Sequence, residues 1–236
     1  TKELQLLLEE VQRSEENRRH LLADVSHELR TPLTIIKGEA EVALRGAAKR
    51  EDEYRHALEC TRDAATHTAR LVDDLLFIAR QEADVARLKR SSVDLTHLLR
   101  DTVNMFGLPV SLDIEKETIW VSGDQIRLRQ CIIALLQNAK YHGGDKITAR
   151  LRESEKTCRL TIEDNGPGLT LREKENAFDR FFRGPNATTN YEEGSGLGLP
   201  VERAIAKAHG GGATLEDRPG GGMIAVIELP VEIGAL

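Results

Sequence analysis

Apolar side chains in the first third of the chain recur in alternating steps of four and three: Leu4, Leu8 and Val11, then Leu22, Val25 and Leu29, with Ile36 one heptad beyond. Such a stripe belongs to a helix lying along a partner helix. Glu15 and Arg18 interrupt it at seam positions. Polar seam residues weaken a coiled coil but can fix its register. The stretch Arg45-Gly46-Ala47-Ala48-Lys49-Arg50 predicts a hairpin. A second helix follows, with Leu58, Ala65, Val72 and Ala79 at heptad spacing and Thr61, Thr68 and Leu75 at the interleaved positions. Two such helices cannot bury both seams alone. Pairing with a second copy would give a four-helix bundle.

From about Arg80 to Ser92 the chain is charged with little apolar pattern, which reads as the end of the second helix and a linker. The period then changes. Cys158 to Glu163 alternates strictly, as a half-buried strand does, and Ile147 to Leu151 does the same. Val110 to Ile114, Ile119 to Val121, Ala213 to Glu216 and Met223 to Leu229 are further predicted strands. Helices fit Leu95 to Asn104, Asp124 to Lys140 and Gly198 to Ala208. The chain is therefore expected to be multidomain. An α-helical hairpin forms a dimeric four-helix bundle, and an α/β sandwich with a mixed sheet and helices on one face follows. The expected boundaries are an incoming coiled-coil helix over 1–18, the hairpin over 19–88 and the α/β domain over 89–236. No internal repeat is evident.

Composition narrows the class. The 236 residues are 40% hydrophobic and 31% charged, an ordinary globular balance, and only 4% aromatic, so the core must be aliphatic. A net charge of −6 argues against general nucleic-acid binding, which leaves a basic footprint. Cys60, Cys131 and Cys158 form no close pair and no metal-ligand spacing, as expected in a reducing compartment. No apolar run approaches the ~20 residues of a membrane span, and no signal peptide is visible. The chain starts at Thr1 without methionine. The expectation is a fragment of a longer parent whose anchor or sensor lies upstream.

The run Asp24-Val25-Ser26-His27-Glu28-Leu29-Arg30-Thr31-Pro32-Leu33-Thr34 carries the first candidate chemistry. His27 lies between seam residues Val25 and Leu29, so it points outward. Neutral imidazole is a good nucleophile near neutral pH. The Glu28 carboxylate can accept one ring N–H and leave the other nitrogen free to attack. Thr31, one turn on, brings a hydroxyl able to orient water, and Pro32 can bend the helix below the site. An exposed helical histidine is ordinarily just solvated, and His20 holds the same heptad position. The neighbours, not the position, single out His27.

Four further motifs suit a nucleotide. Asn138-Ala139-Lys140-Tyr141-His142 ends an amphipathic helix, where the Asn138 carbonyl suits a hard cation such as Mg²⁺ and Lys140, Tyr141 and His142 can face phosphates. A helix cap is the plainer account of Asn138. Asp164-Asn165-Gly166-Pro167-Gly168-Leu169 follows a strand whose phase turns Asp164 inward. An inward carboxylate needs donors, and an adenine amino group would supply one. A tight turn alone explains the motif equally well. Phe178-Asp179-Arg180-Phe181-Phe182-Arg183-Gly184 holds three of the five phenylalanines, a hydrophobic anchor with Arg183 available to phosphate. Gly194-Ser195-Gly196-Leu197-Gly198-Leu199-Pro200 runs into a helix, whose free amides bind phosphate. It matches neither a Walker nor a Rossmann pattern. The residues between the second and fourth motifs fit a flexible lid.

In order and spacing these five stretches resemble the sensor histidine kinases of two-component signalling, over nearly the whole chain. Asp24 to Thr34 resembles their H box, Asn138 lies in an N-box-like helix, Asp164 to Leu169 resembles G1, Phe178 to Gly184 the F box and Gly194 to Leu199 G2. The resemblance implies a dimerisation and phosphoacceptor domain followed by a Bergerat-type ATP-binding domain. It implies that His27 takes the γ-phosphoryl group with Glu28 as base, and that Thr31 serves phosphatase activity. Asn138 would hold Mg²⁺ and Asp164 would read adenine. Gly166, Gly168, Gly196 and Gly198 would shape the pocket and lid, with Lys140, Tyr141, His142, Leu169, Arg183, Gly194 and Leu197 completing the ATP site. The implied partners are a second copy of the chain and a response-regulator receiver domain, with no direct nucleic acid. The implied location is the cytoplasmic portion of a parent anchored in the bacterial inner membrane. Two positions depart from the family pattern: Ala134 stands where a second Asn is usual, and Tyr141 where a basic residue is usual. Two rival functions follow. One is an ATPase of the same pocket family; the other is a nucleotide-binding scaffold of weak catalytic power.

Overall fold

The computed structural model describes residues 2–45, 50–82, 88–184 and 196–232, with side chains from Leu22 onward except at residue 82. The seam side chains Leu4, Leu8, Val11, Glu15 and Arg18, and that of His20, lie outside the described residues. So do 46–49 of the hairpin, 83–87 of the linker, and 185–195, which include the last part of the expected lid with Gly194 and Ser195. Contacts divide the chain into two compact units, Thr1–Asp74 and Leu75–Leu236. Among the described residues no helix is long and apolar enough to cross a membrane.

The first unit comprises α1 (Lys2–Leu44) and most of α2 (Glu51–Glu82). α1 continues through Pro32. Its stripe of Val25, Leu29 and Ile36 is half-buried. Glu51, Asp52 and Glu53 complement the positive start of α2. The buried row of α2 is Ala57, Ala64 and Leu71, heptad-spaced but one residue before the expected seam. Leu58, expected inside, is 69% exposed in the single chain and Val72 38%. Ala57, Ala64 and Leu71 form the inner row, and Leu58, Ala65 and Val72 form a second apolar row outside it.

The second unit begins within α2. Phe77 and Ile78 are buried there, and the Arg127 guanidinium lies 4.5 Å from the Phe77 ring centroid. β1 (Ser91–Asp94), α3 (Leu95–Phe106), β2 (Val110–Ile114), β3 (Trp120–Gly123), α4 (Gln125–His142), β4 (Ile147–Glu153), β5 (Thr157–Asp164), α5 (Leu171–Asn176), α6 (Gly198–Ala208), β6 (Gly212–Asp217) and β7 (Met223–Pro230) follow. β1 and α5 answer to no element read from the sequence. β1 pairs antiparallel with β3, and the main sheet has the order β2-β4-β5-β7-β6. The β2–β4 pair is parallel and the others antiparallel, so the sheet is mixed.

Register separates the two faces. Ile147, Ala149 and Leu151 stand opposite Asp164, Ile162 and Leu160, which stand in line with Ala225 and Ile227. This row is the core face, and α3, α4 and α6 contribute the buried Leu98, Leu99, Leu135, Leu136 and Ile205. The alternate positions carry a cross-strand ion lattice: Arg150 reaches Glu163 at 3.0 Å, Arg152 reaches Asp113 at 2.7 Å, and Arg159 reaches Glu216 at 2.6 Å. Thr161 and Glu163 are nevertheless buried, because β5 is central and flanked on both sides.

Asp124 caps α4 by accepting from the Ile126 and Arg127 amides, and also takes the Lys89 amide at 3.0 Å. Its own N–H donates to Nε2 of buried His209 at 2.9 Å, while His209 Nδ1 lies 2.7 Å from the Ile205 carbonyl. Burial lowers the His209 pKa, which favours the neutral ring that can accept at Nε2. The end of α6 is thus tied to the start of α4. Cys131, two turns into α4, feels the charge of Glu202 in α6, so the two helices pack side by side in opposite directions.

Candidate active site

His27 projects from α1 with a side chain 77% exposed, beside Glu28 at 31%. Nδ1 and Oε1 are 3.8 Å apart, close enough for charge to act but too long for the expected hydrogen bond. The Ser26 and Thr34 hydroxyls turn back onto the carbonyls of Leu22 and Arg30 at 2.7 and 2.8 Å. Thr31, one turn beyond His27, is exposed. The first unit therefore presents imidazole, carboxylate and hydroxyl together on an open helix surface.

In the second unit Asp164 ends the central strand β5 on its core face, half-buried. Its Oδ1 accepts the Gly166 amide at 2.8 Å and the Met223 amide at 3.4 Å. Two donors of its own chain meet one oxygen, which leaves Oδ2 for a ligand. Asn165 stitches the turn to its neighbour: it accepts from the Lys146 amide and donates to Asp145 Oδ1, each at 2.9 Å. That bond holds the Asp145 carboxyl below its ordinary pKa. On the other side lies the turn Gly220–Gly222. At Gly222 (φ +100) a Cβ would run into the Asp164 carbonyl. This glycine turn is a wall of the site that sequence reading missed. Its signal was the run Pro219-Gly220-Gly221-Gly222 ahead of a strand.

Asn138 sits half-buried in the last turns of α4, and Lys140 lies over the Tyr141 ring at 5.4 Å with His142 exposed beyond. Ala134, one turn before Asn138, is half-buried and offers no oxygen. Among the described residues no group of three His, Cys, Asp or Glu side chains could hold a metal ion. One amide oxygen suits a cation that arrives on phosphates and keeps most of its ligands from phosphate and water.

The third and fourth motifs meet. The Phe181 amide donates to the Gly196 carbonyl at 3.0 Å. Phe181 holds φ +59, alone among described non-glycine residues, and a Cβ on Gly196 (φ +69) would stand 2.7 Å from its backbone. Gly198 then opens α6, whose first turn has no side-chain cap, so its amides are available to an anion. Leu197 is wholly buried and anchors the loop end just before α6. Gly166, Gly168 and Leu169 are half-buried around the Asp164 turn, and Arg183 is exposed. No pattern along the chain pointed to Glu202, a wholly buried carboxyl on α6.

Residues 17–84 match the His Kinase A (phospho-acceptor) domain family, and residues 123–233 match the histidine kinase-, DNA gyrase B- and HSP90-like ATPase family. The chain is the catalytic core of a two-component histidine kinase. Both matches fall on the chemistry just described, with His27 in the first and Asn138, Asp164 and the glycine motifs in the second. This histidine kinase core is 35% identical to the probable sensor histidine kinase TcrY of Mycobacterium tuberculosis, over 94% of this chain and 47% of that protein. It is 32% identical to the sensor protein kinase WalK of Staphylococcus aureus, over 95% and 56%. The chain thus spans about half the length of these curated relatives. The fold is shared with the Acinetobacter baumannii histidine kinase AdeS, at TM-score 0.63 and 24% identity over 88% of this chain and 98% of that one. It is shared too with histidine kinase ThkA in complex with the response regulator protein TrrA, at TM-score 0.66 and 24% identity over 90% and 61%.

Proposed function

We propose that this core transfers the γ-phosphoryl group of ATP to His27 and then to an aspartate of a response regulator. The observation that carries the reading is His27 itself: open to solvent, beside a carboxylate, within the stretch that matches a phospho-acceptor family. Nδ1 faces Glu28, which leaves Nε2 to attack. The new bond joins Nε2 to the γ-phosphorus, and the bond from that phosphorus to the β–γ bridging oxygen breaks. ADP leaves with the electron pair, and Glu28 takes the Nδ1 proton. Asn138 would hold Mg²⁺, which when bound supplies charge neutralisation for the phosphates. Lys140, Tyr141, His142 and Arg183 face the same phosphates, and the first turn of α6 supplies amides. Thr31 orients water for dephosphorylation of the regulator.

The outer apolar row of Leu58, Ala65 and Val72 is the face for a second copy. A response regulator accompanies ThkA in its complex, and the same class of partner is proposed here. The parent chain is anchored in a membrane with this core on the cytoplasmic side. Incubation with γ-labelled ATP and Mg²⁺ tests the reading. Protein-bound label that survives alkali and is lost in acid is the expected result. Labelled phosphate released to water from an unlabelled chain would make the core an ATPase, and bound nucleotide with neither protein label nor released phosphate would make it a nucleotide-binding scaffold.

Adenine recognition makes a second expectation. In Asp164→Asn the retained Oδ1 still accepts the Gly166 and Met223 amides. The new NH₂ then opposes the adenine amino group, donor against donor. A bond to a charged acceptor is worth about 1.5–3 kcal/mol, so ATP should bind about 100-fold more weakly while the melting temperature hardly moves. Guanine offers an acceptor there, so the preference for ATP over GTP should narrow. Calorimetric titration of both nucleotides checks this, and an unchanged ATP affinity would remove Asp164 from adenine.

A further inference from the structure

We propose that Arg203 is a positioning residue for the phosphate end of the nucleotide, acting through the phenylalanine segment it holds against α6. The proposal rests on the reading of the second unit as an ATP site. Arg203 lies in the second turn of α6, half-buried. Its Nη2 donates to the Phe178 carbonyl at 3.0 Å, and its guanidinium carbon stands 5.0 Å from the Phe178 ring centroid. One side chain therefore grips both the backbone and the ring of the same residue.

After α5 the chain descends through two tight turns, with the Asp179 amide on the Asn176 carbonyl and the Phe182 amide on the Asp179 carbonyl. It then reaches Phe181, in its uncommon left-handed conformation, and bonds the Gly196 carbonyl. Gly196 is two residues before α6 opens. Residues 178–182 are thus pinned to α6 at two points, the backbone at Gly196 and the side chain of Arg203. The uncapped amides at the start of α6 sit between those points. If Phe178 is released, the strained backbone at Phe181 loses one of its supports, and the first turn of α6 loses its brace.

Arginine suits this task where lysine would not. A planar guanidinium can lie over a ring and donate in its own plane at the same time; an ammonium can reach the carbonyl but has no plane to stack. The grip lies beside the first turn of α6, proposed to meet the phosphates, whereas the proposed adenine contact is Asp164 at the end of β5. Loss of the grip should therefore weaken binding of phosphates and spare the base.

The full chain is compared with Arg203→Met and Arg203→Lys for binding of Mg-ATP and of adenosine, followed by calorimetry and chemical-shift titration. Arg203→Met is expected to bind Mg-ATP about 10-fold more weakly and to raise KM for autophosphorylation, with kcat within about twofold and adenosine affinity unchanged. Arg203→Lys should fall between. Equal loss of ATP and adenosine, or no loss of either, overturns the role of Arg203. A parent chain that binds neither overturns the nucleotide reading itself.

Discussion

A His27→Gln chain is expected to bind Mg-ATP as the parent does and to carry less than about 1% of its acid-labile phosphate. The amide is close to imidazole in size and polarity but has no lone pair basic enough to attack phosphorus, so the acceptor is lost outright. The fold should not notice. His27 is 77% exposed and its one charged neighbour stands 3.8 Å away, beyond hydrogen-bond reach. An exposed pair of that kind contributes little, and glutamine is a good helix former. Nucleotide affinity should stay within about twofold, because the ATP-site residues belong to the other compact unit. His20→Gln is the comparator, since it alters the same heptad position one repeat earlier and should leave labelling intact. Full labelling of the His27→Gln chain, or label lost in the His20→Gln chain instead, would move the acceptor elsewhere. Phosphopeptide mapping under alkaline conditions reads both.

The parts of this molecule legible in the sequence are those where one face is apolar and the period is clean. β2 and α6 fall on the ends read from the sequence, and α3 runs two residues past its expected end until Gly107 turns it off at φ 72. The phase of β5 put Asp164 on the core face, where register places it beside Ile147. Legibility failed where spacing and polarity misled. Heptad spacing marked Leu58, Ala65, Val72 and Ala79 as the α2 seam, whereas within the single chain the buried row is Ala57, Ala64 and Leu71. Spacing finds an apolar row, whereas two apolar rows on one helix are sorted by which neighbour each row meets. β1 and α5 are too short to show a period, although Thr170 and Glu173 do form the reciprocal cap that opens α5. The walls of the Asp164 turn come from segments distant in sequence, and no local pattern announces such an approach.

Glu202 is the extreme of that failure, and the largest stability effect is expected there. A glutamate on a helix reads as solvated, yet this one is 1% exposed and neither oxygen has a partner among the described groups. It shares a helix face with Ala206 and His209, the face tied to α4, and its charge adds to the burial that raises the pKa of Cys131 on that helix. Burial lifts the Glu202 pKa from 4.5 to about 8. The folded state therefore holds the proton more tightly than the unfolded chain. Stability from this group is complete below about pH 4.5 and drains away as pH rises toward 8, beyond which the loss is constant. The amide introduced by Glu202→Gln does not titrate. The advantage of that variant over the parent should grow by about 1.4 kcal/mol per pH unit across that window, reaching about 4 kcal/mol at pH 7.5. For a unit of this size that is on the order of 10 °C in melting temperature. Thermal unfolding of both chains at pH 5, 6, 7 and 8 gives the answer directly. A widening gap is the signature of a carboxyl that stays protonated in the folded chain while its unfolded counterpart ionises; a gap of constant width would mean that Glu202 reaches water or a partner and carries its charge without penalty.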